Sequence, residues 1–304
     1  MEKIIEIEKL NKSYGSVHAV RDLSFYVNKG ELFAFLGENG AGKSTTINIM
    51  CGQIPKDGGL VKMCGESLEN GSNDIKRRLG AVFQNSVLDA NLTVYDNLKS
   101  RAALYGIRGD NFGKRLGELA EIMDFGKLLK RSLGKLSGGQ RRKADIARAL
   151  FHRPEILILD EPTTGLDPQT RRTIWTVIGE LRRTENLTVF LTTHYMEEAA
   201  EADRIVILDG GSVVAEGTPV ELKNKYSGDC VKIYNTDEDK IKKLKMPYER
   251  NGEAFCIGVP DTAAARELII AYPDVFEDFE ITKGKMDDVF LAVTGKKLTG
   301  GSEK

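Results

Sequence analysis

Leu32-Phe33-Ala34-Phe35-Leu36 runs directly into Gly37-Glu38-Asn39-Gly40-Ala41-Gly42-Lys43-Ser44, and this stretch decides the fold. The apolar run reads as a buried strand. The G-x-x-x-x-G-K-[ST] pattern that follows is a phosphate-binding loop, whose glycines let successive backbone N–H groups turn inward around phosphate oxygens at the positive end of a helix. That helix is expected over Lys43–Met50. Lys43 supplies a point charge for the β- and γ-phosphates, and the Ser44 hydroxyl ligates Mg²⁺. Gly37, Glu38, Asn39, Gly40, Ala41, Gly42 and Thr45 belong to the same nucleotide cradle.

Downstream, the apolar strand Ile156–Leu159 ends in Asp160-Glu161. An unpaired carboxylate at the end of a buried strand is costly, and a metal ion in its field removes that cost. Asp160 is therefore the expected Mg²⁺ partner. Glu161 is the candidate general base for attack on the γ-phosphate. The plainer reading is a pair of carboxylates at a surface strand end. Gln84 ends a strand over Leu79–Phe83, and His194 follows one over Thr188–Leu191, both where α/β sheets bind ligands. By themselves they would read as a solvated turn and a structural histidine. With a phosphate loop present, Gln84 becomes a catalytic and metal-ligating candidate, and His194 a contact for the γ-phosphate and the attacking water.

Strands alternate with helices through this region, which implies an α/β fold with a mostly parallel sheet covered on both faces. Ile5–Leu10, Asp22–Val27 and Leu60–Met63 read as strands, the last suggesting an antiparallel β patch beside the main sheet. A helical subdomain is expected at about 85–135. Gly138–Phe151 reads as an amphipathic helix stopped by Pro154, and helices are also expected near Arg171–Arg183 and Met196–Ala202. Ile205–Leu208 reads as a further strand. Leu222–Asp229 reads as a linker. Beyond it, strands at Val231–Tyr234, Phe255–Val259 and Val275–Ile281 and helices at Asp237–Leu244, Thr262–Ala271 and Met286–Val293 suggest a small α+β domain. The expected division is 1–225 and 226–304.

The 304-residue chain carries a net charge of −1, so no global basic field recruits nucleic acid. No apolar run approaches the roughly 20 residues of a membrane helix, and the chain is not expected to cross a bilayer alone. The N-terminal residues alternate charged and apolar side chains and lack a signal-peptide core. Cys51, Cys64, Cys230 and Cys256 are widely spaced with no CxxC pair, and four free thiols are expected.

Leu136-Ser137-Gly138-Gly139-Gln140 completes the set. In the order phosphate loop, Gln84, LSGGQ (the signature), Asp160-Glu161, Thr164-Gly165-Leu166-Asp167 and His194, the chain resembles the ABC transporter ATP-binding subunits over about Ile4–Leu222. The resemblance implies a P-loop NTPase core and hydrolysis of ATP with Mg²⁺. It places Tyr14 as the adenine-stacking aromatic, although a single tyrosine also suits a packed strand end. It implies a head-to-tail homodimer, or a paired ATPase subunit, in which Ser137, Gly138, Gly139 and Gln140 reach the nucleotide of the other chain and Asp167 crosses the interface. The implied partner is a separate integral-membrane permease, with the ATPase cytoplasmic and peripheral on the inner face of the membrane, and no nucleic acid.

Met286-Asp287-Asp288-Val289-Phe290-Leu291-Ala292-Val293-Thr294-Gly295 resembles the close of daunorubicin- and multidrug-export-type (ABC-2 type) subunits, with Asp287 at the position of the commoner glutamate. This favours export of a drug, lipid or peptide. The same segment also reads as an amphipathic helix packing Val289, Phe290 and Val293. The competing class is a non-transport ABC ATPase acting on ribosomes or nucleic acid. The single ATPase domain, the lack of a heptad tract and the charge balance argue against it.

Overall fold

Apolar residues alternating with polar ones build two long strands, β1 (Lys3–Tyr14) and β2 (Val17–Asn28), joined by a tight turn. The structure is a computed structural model and describes residues 2–69 and 72–296. The chain continues through β3 (Leu32–Gly37), α1 (Lys43–Met50), β4 (Gly58–Met63), β5 (Glu66–Ser67), α2 (Ser72–Arg78) and β6 (Leu79–Val82). Helices α3 (Val94–Leu104), α4 (Gly109–Ile122) and α5 (Gly138–Leu150) follow, then β7 (Ile156–Asp160), α6 (Pro168–Glu185) and β8 (Thr188–Thr193). The rest comprises α7 (Met196–Ala200), β9 (Arg204–Asp209), β10 (Ser212–Gly217), α8 (Pro219–Tyr226), β11 (Asp229–Ile233), α9 (Glu238–Lys242), β12 (Tyr248–Asn251), β13 (Ala254–Val259), α10 (Thr262–Ala271), β14 (Phe279–Lys283) and α11 (Met286–Thr294). Two compact units result: Met1–His194 with Leu208–Val213, and Tyr195–Ile207 with Val214–Lys304.

In the first unit β2, β1, β4 and β5 form an antiparallel sheet. Strands β3, β8, β7 and β6 pair in parallel, and every residue of β3, β7 and β8 is buried. Near-continuous burial is what a sheet covered on both faces requires. Phe25 of β2 lies 5.3 Å from Phe33, 5.2 Å from Phe35 and 5.9 Å from Phe190, measured between ring centroids. These rings join the two sheets into one core.

Strand β6 is outermost, so its outer carbonyls need partners from elsewhere. Helix α5 and the turn after it provide them. His152 Nε2 lies 3.1 Å from the Leu79 oxygen, Arg148 donates to the Ala81 oxygen, and Arg142 Nη1 donates to the Phe83 oxygen at 2.6 Å. The period-two spacing of these acceptors is that of one edge of a strand. Gly80 allows the close approach, since a Cβ there would collide with the Ala149 carbonyl.

His152 makes this edge pH-sensitive. The Leu79 carbonyl only accepts, which places the ring proton on Nε2, while Nδ1 is buried without a partner. Burial holds the ring pKa down at about 4, from an ordinary 6.5. The unfolded chain therefore binds the proton more readily. Stability from this group is fully present above the ordinary value and is lost as pH falls toward the folded one. Urea unfolding should show about 2 kcal/mol lost to this group between about pH 7 and pH 5, a loss absent in His152→Gln. An identical pH dependence in the variant would contradict the assignment.

In the second unit β12, β13, β11 and β14 form an antiparallel sheet over a core that includes Val231, Ile233, Ile241, Phe255, Ile257 and Phe276. Three expectations are corrected here. Leu222–Tyr226 is helical, not linker, because Thr218 caps α8 with Glu221 in a capping box and Pro219 opens its first turn. Val275 and Phe276 are buried but precede the strand, which begins at Phe279. Cys230 and Cys256 form a disulfide, leaving only Cys51 and Cys64 free. Strand pairing sets Cys230 opposite Gly258 and Lys232 opposite Cys256, so the two cysteines are diagonal neighbours on one sheet face, with Cα atoms 6.0 Å apart. Nothing in their sequence spacing shows that. Helix α11 buries Met286, Val289 and Phe290, with Val293 partly covered, and packs chiefly on α8 and α7.

Candidate functional site

The phosphate loop lies between buried β3 and the start of α1, as the sequence implies. Gly40 and Gly42 take left-handed φ of +87° and +100°, and a Cβ on Gly42 would strike the Ala19 carbonyl. Only glycine suits that position. Lys43 is buried, and its Nζ donates to the Gly37 oxygen at 2.6 Å and the Glu38 oxygen at 3.0 Å. Burial pulls its pKa down, against the opposing pull of Glu161, Asp160 and Glu38. Ala41 N–H closes the loop on the Glu38 carbonyl at 3.1 Å. Asn39, Gly40 and Ser44 are exposed and Thr45 is half-buried.

Parallel register brings two further strand ends together, since Asp160 of β7 pairs with Thr192 of β8. Thr192 Oγ1 donates to Asp160 Oδ1 at 2.6 Å, and Glu161 N–H meets both the Thr192 carbonyl and its hydroxyl at 3.1 Å. Burial raises the Asp160 pKa, and the Thr192 bond opposes it. Glu161 has φ +45°, a left-handed conformation unusual for a non-glycine residue. Its Oε2 lies 3.4 Å from His194 Nδ1 and accepts from Thr164 Oγ1 at 3.3 Å. Asp160, Glu161 and His194 thus converge.

Gln84, Gly138 and Glu161 line one cavity of about 240 Å³, together with Ser86, Arg141, Arg142, Asp145, Thr164 and Gly165. Ser137 caps α5: its hydroxyl accepts from Gln140 N–H at 3.3 Å, and Ser137 N–H in turn donates to Gln140 Oε1 at 3.2 Å. The Gln140 side chain is therefore engaged with its own helix. Open space lies where a Gly138 Cβ would be, whereas one on Gly139 would meet Thr170 at 2.9 Å. Asp167 caps α6, accepting from Thr170 N–H at 2.9 Å. Tyr14, at the end of β1, is 50% exposed, so the packed strand-end reading does not hold. Lys12 Nζ stands 5.6 Å from its ring centroid. Neither Tyr14 nor Asp167 lines the cavity.

The donor set fits a nucleoside triphosphate with Mg²⁺. Left-handed glycines open the loop backbone, a buried ammonium stands behind it, and Asp160 offers a buried carboxylate with one oxygen held by Thr192. Among the described residues no group of three or more His, Cys, Asp or Glu side chains could hold a metal. A cation held here by Asp160 would need phosphate and water for the remainder of its ligands, which suits Mg²⁺. Two residues were not singled out from the sequence. Thr192 has a visible signal, being a polar side chain at the end of an apolar strand. Arg142 has none, because the run Arg141-Arg142-Lys143 reads as a solvated face.

Residues 20–164 match the family model described as "ABC transporter". Nod factor export ATP-binding protein I of Ralstonia nicotianae is 35% identical over 97% of this chain and 95% of its own length. The linearmycin resistance ATP-binding protein of Bacillus subtilis is 38% identical over 88% of this chain and 82% of its own. Among solved structures, a dimeric ATP-binding cassette in a post-hydrolysis state with ADP and Pi superposes with a TM-score of 0.66 at 27% identity, covering 71% of this chain and 98% of that one. The chain belongs to the ATP-binding subunits of the ABC transporter family, and its enzymatic activity is the hydrolysis of ATP to ADP and phosphate coupled to transport.

Proposed function

We propose that this subunit powers outward transport through a separate membrane-spanning partner, working from the cytoplasmic face of the membrane. One relative is named for Nod factor export and another for linearmycin resistance, which supports export here. No helix among the described residues is long and apolar enough to cross a membrane, so the pathway for the substrate belongs to the partner. The segment from 226 onward is an accessory module in this reading, since every residue with a proposed chemical role precedes it.

The observation that carries the mechanism is the meeting of Glu161 Oε2 with His194 Nδ1 at 3.4 Å, beside Asp160. The loop N–H groups and Lys43 hold the β- and γ-phosphates, Tyr14 stacks on the base, and Ser44, Gln84 and Asp160 hold the metal. Bound Mg²⁺ supplies charge neutralisation on the phosphate oxygens. Glu161 takes the proton of the attacking water, and His194 orients that water and the γ-phosphate. Ser137, Gly138, Gly139 and Gln140 complete the site of a second chain, with Asp167 at the interface between them.

Co-expression with a candidate ABC-type membrane subunit tests the transport reading. The chain should sediment with membranes, and its ATPase should respond to the transported compound, only when that subunit is present. A soluble, unresponsive ATPase in the presence of a correctly inserted partner would contradict it.

A further inference from the structure

Arg142 on α5 is 7% exposed and directs its guanidinium entirely at main-chain carbonyls. Nε donates to the Pro162 oxygen at 2.7 Å and Nη1 to the Phe83 oxygen at 2.6 Å. Nη2 donates to the Asp160 and Glu161 oxygens at 3.1 and 3.0 Å. The acceptors come from two places that matter. Phe83 immediately precedes Gln84, and residues 160 to 162 are the turn that presents both carboxylates.

That turn is strained. Glu161 holds a φ of +45°, which persists only where its surroundings over-determine it. Thr192 fixes the Glu161 N–H from the β8 side. Arg142 fixes the three successive carbonyls from the α5 side. A planar fork of N–H donors suits such a task, whereas an ammonium has one nitrogen to share among these acceptors. A second tie runs parallel to it: Ser86 Oγ donates to the buried Asp145 Oδ1 at 2.9 Å, again joining the segment after Gln84 to α5.

We propose that Arg142 is a positioning residue for hydrolysis, locking the left-handed turn that aims Glu161 and coupling it to the strand end that carries Gln84. It touches no reacting atom. Displacement of α5, whose first residues form the signature, is then transmitted to Glu161 and Gln84 together. The inference rests on the reading of Glu161 as the general base.

The test is a double-mutant cycle between Arg142→Met and Glu161→Gln, read by single-turnover hydrolysis of radiolabelled ATP and by the Kd for a fluorescent ADP analogue. Arg142→Met should lower kcat by about tenfold or more with KM and the ADP Kd changed by less than about threefold, because Lys43 and the loop do not depend on it. Added to Glu161→Gln, it should cost clearly less than in the wild-type background, since it acts largely through the group already removed and otherwise through Gln84. Arg142→Lys should fall between wild type and the methionine variant, and it serves in the same cycle if the methionine variant does not fold. Wild-type kcat in a folded Arg142→Met chain would overturn the proposal. So would losses that multiply in the double variant, which would mark a general structural role. The Glu161→Gln arm alone reports on the base, so failure of that reading is seen separately.

Discussion

Glu161→Gln is expected to lower ATP turnover by about 10²–10⁴-fold while ATP binding survives. The amide is isosteric and can keep the contact with Thr164, but it cannot take a proton from water. The binding elements are untouched, since Lys43 is held by the Gly37 and Glu38 carbonyls. Removing a negative charge that faces the phosphates should tighten ATP binding. The variant should therefore accumulate as an ATP-stabilised dimer on a sizing column and release almost no phosphate. Wild-type phosphate release from that variant would remove Glu161 from the mechanism.

Much of this site was legible in the sequence because its chemistry sits at the ends of apolar strands. Lys43–Met50 is a helix as expected, since a glycine loop must deliver its N–H groups at a helix start. Strand β7 was visible from Ile156 to Leu159, and its two terminal carboxylates had nowhere to go but the sheet edge. What escaped depends on contacts between segments distant in the chain. Arg142 looks like one charge in a basic run until α5 is laid along β6. The Cys230–Cys256 bond needs the register of β11 on β13. The linker expected over Leu222–Asp229 failed for a local reason: the capping box of Thr218 and Glu221 outweighs the polar character of the residues that follow. Ser137 and Asp167 are both engaged in capping their own helices, a role their motif positions alone do not reveal.

We propose that a working site combines the phosphate loop of one chain with the signature of another. Ser137→Arg should abolish hydrolysis while leaving nucleotide affinity of the monomer intact, because the bulky cation intrudes on the open ground before Gly138. The lost cap costs about 1 kcal/mol, so a thermal melt should accompany the assay. Lys43→Ala should be inactive for the opposite reason, having a sound signature and a failed loop. The decisive measurement is phosphate release from the two inactive variants mixed in equal amounts. A mixed dimer pairs the intact loop of the Ser137→Arg chain with the intact signature of the Lys43→Ala chain, giving one complete site. Random pairing makes half the dimers mixed, so activity should return to about a quarter of wild type. Mixtures that form dimers yet stay as inactive as their parents would contradict a site shared between chains.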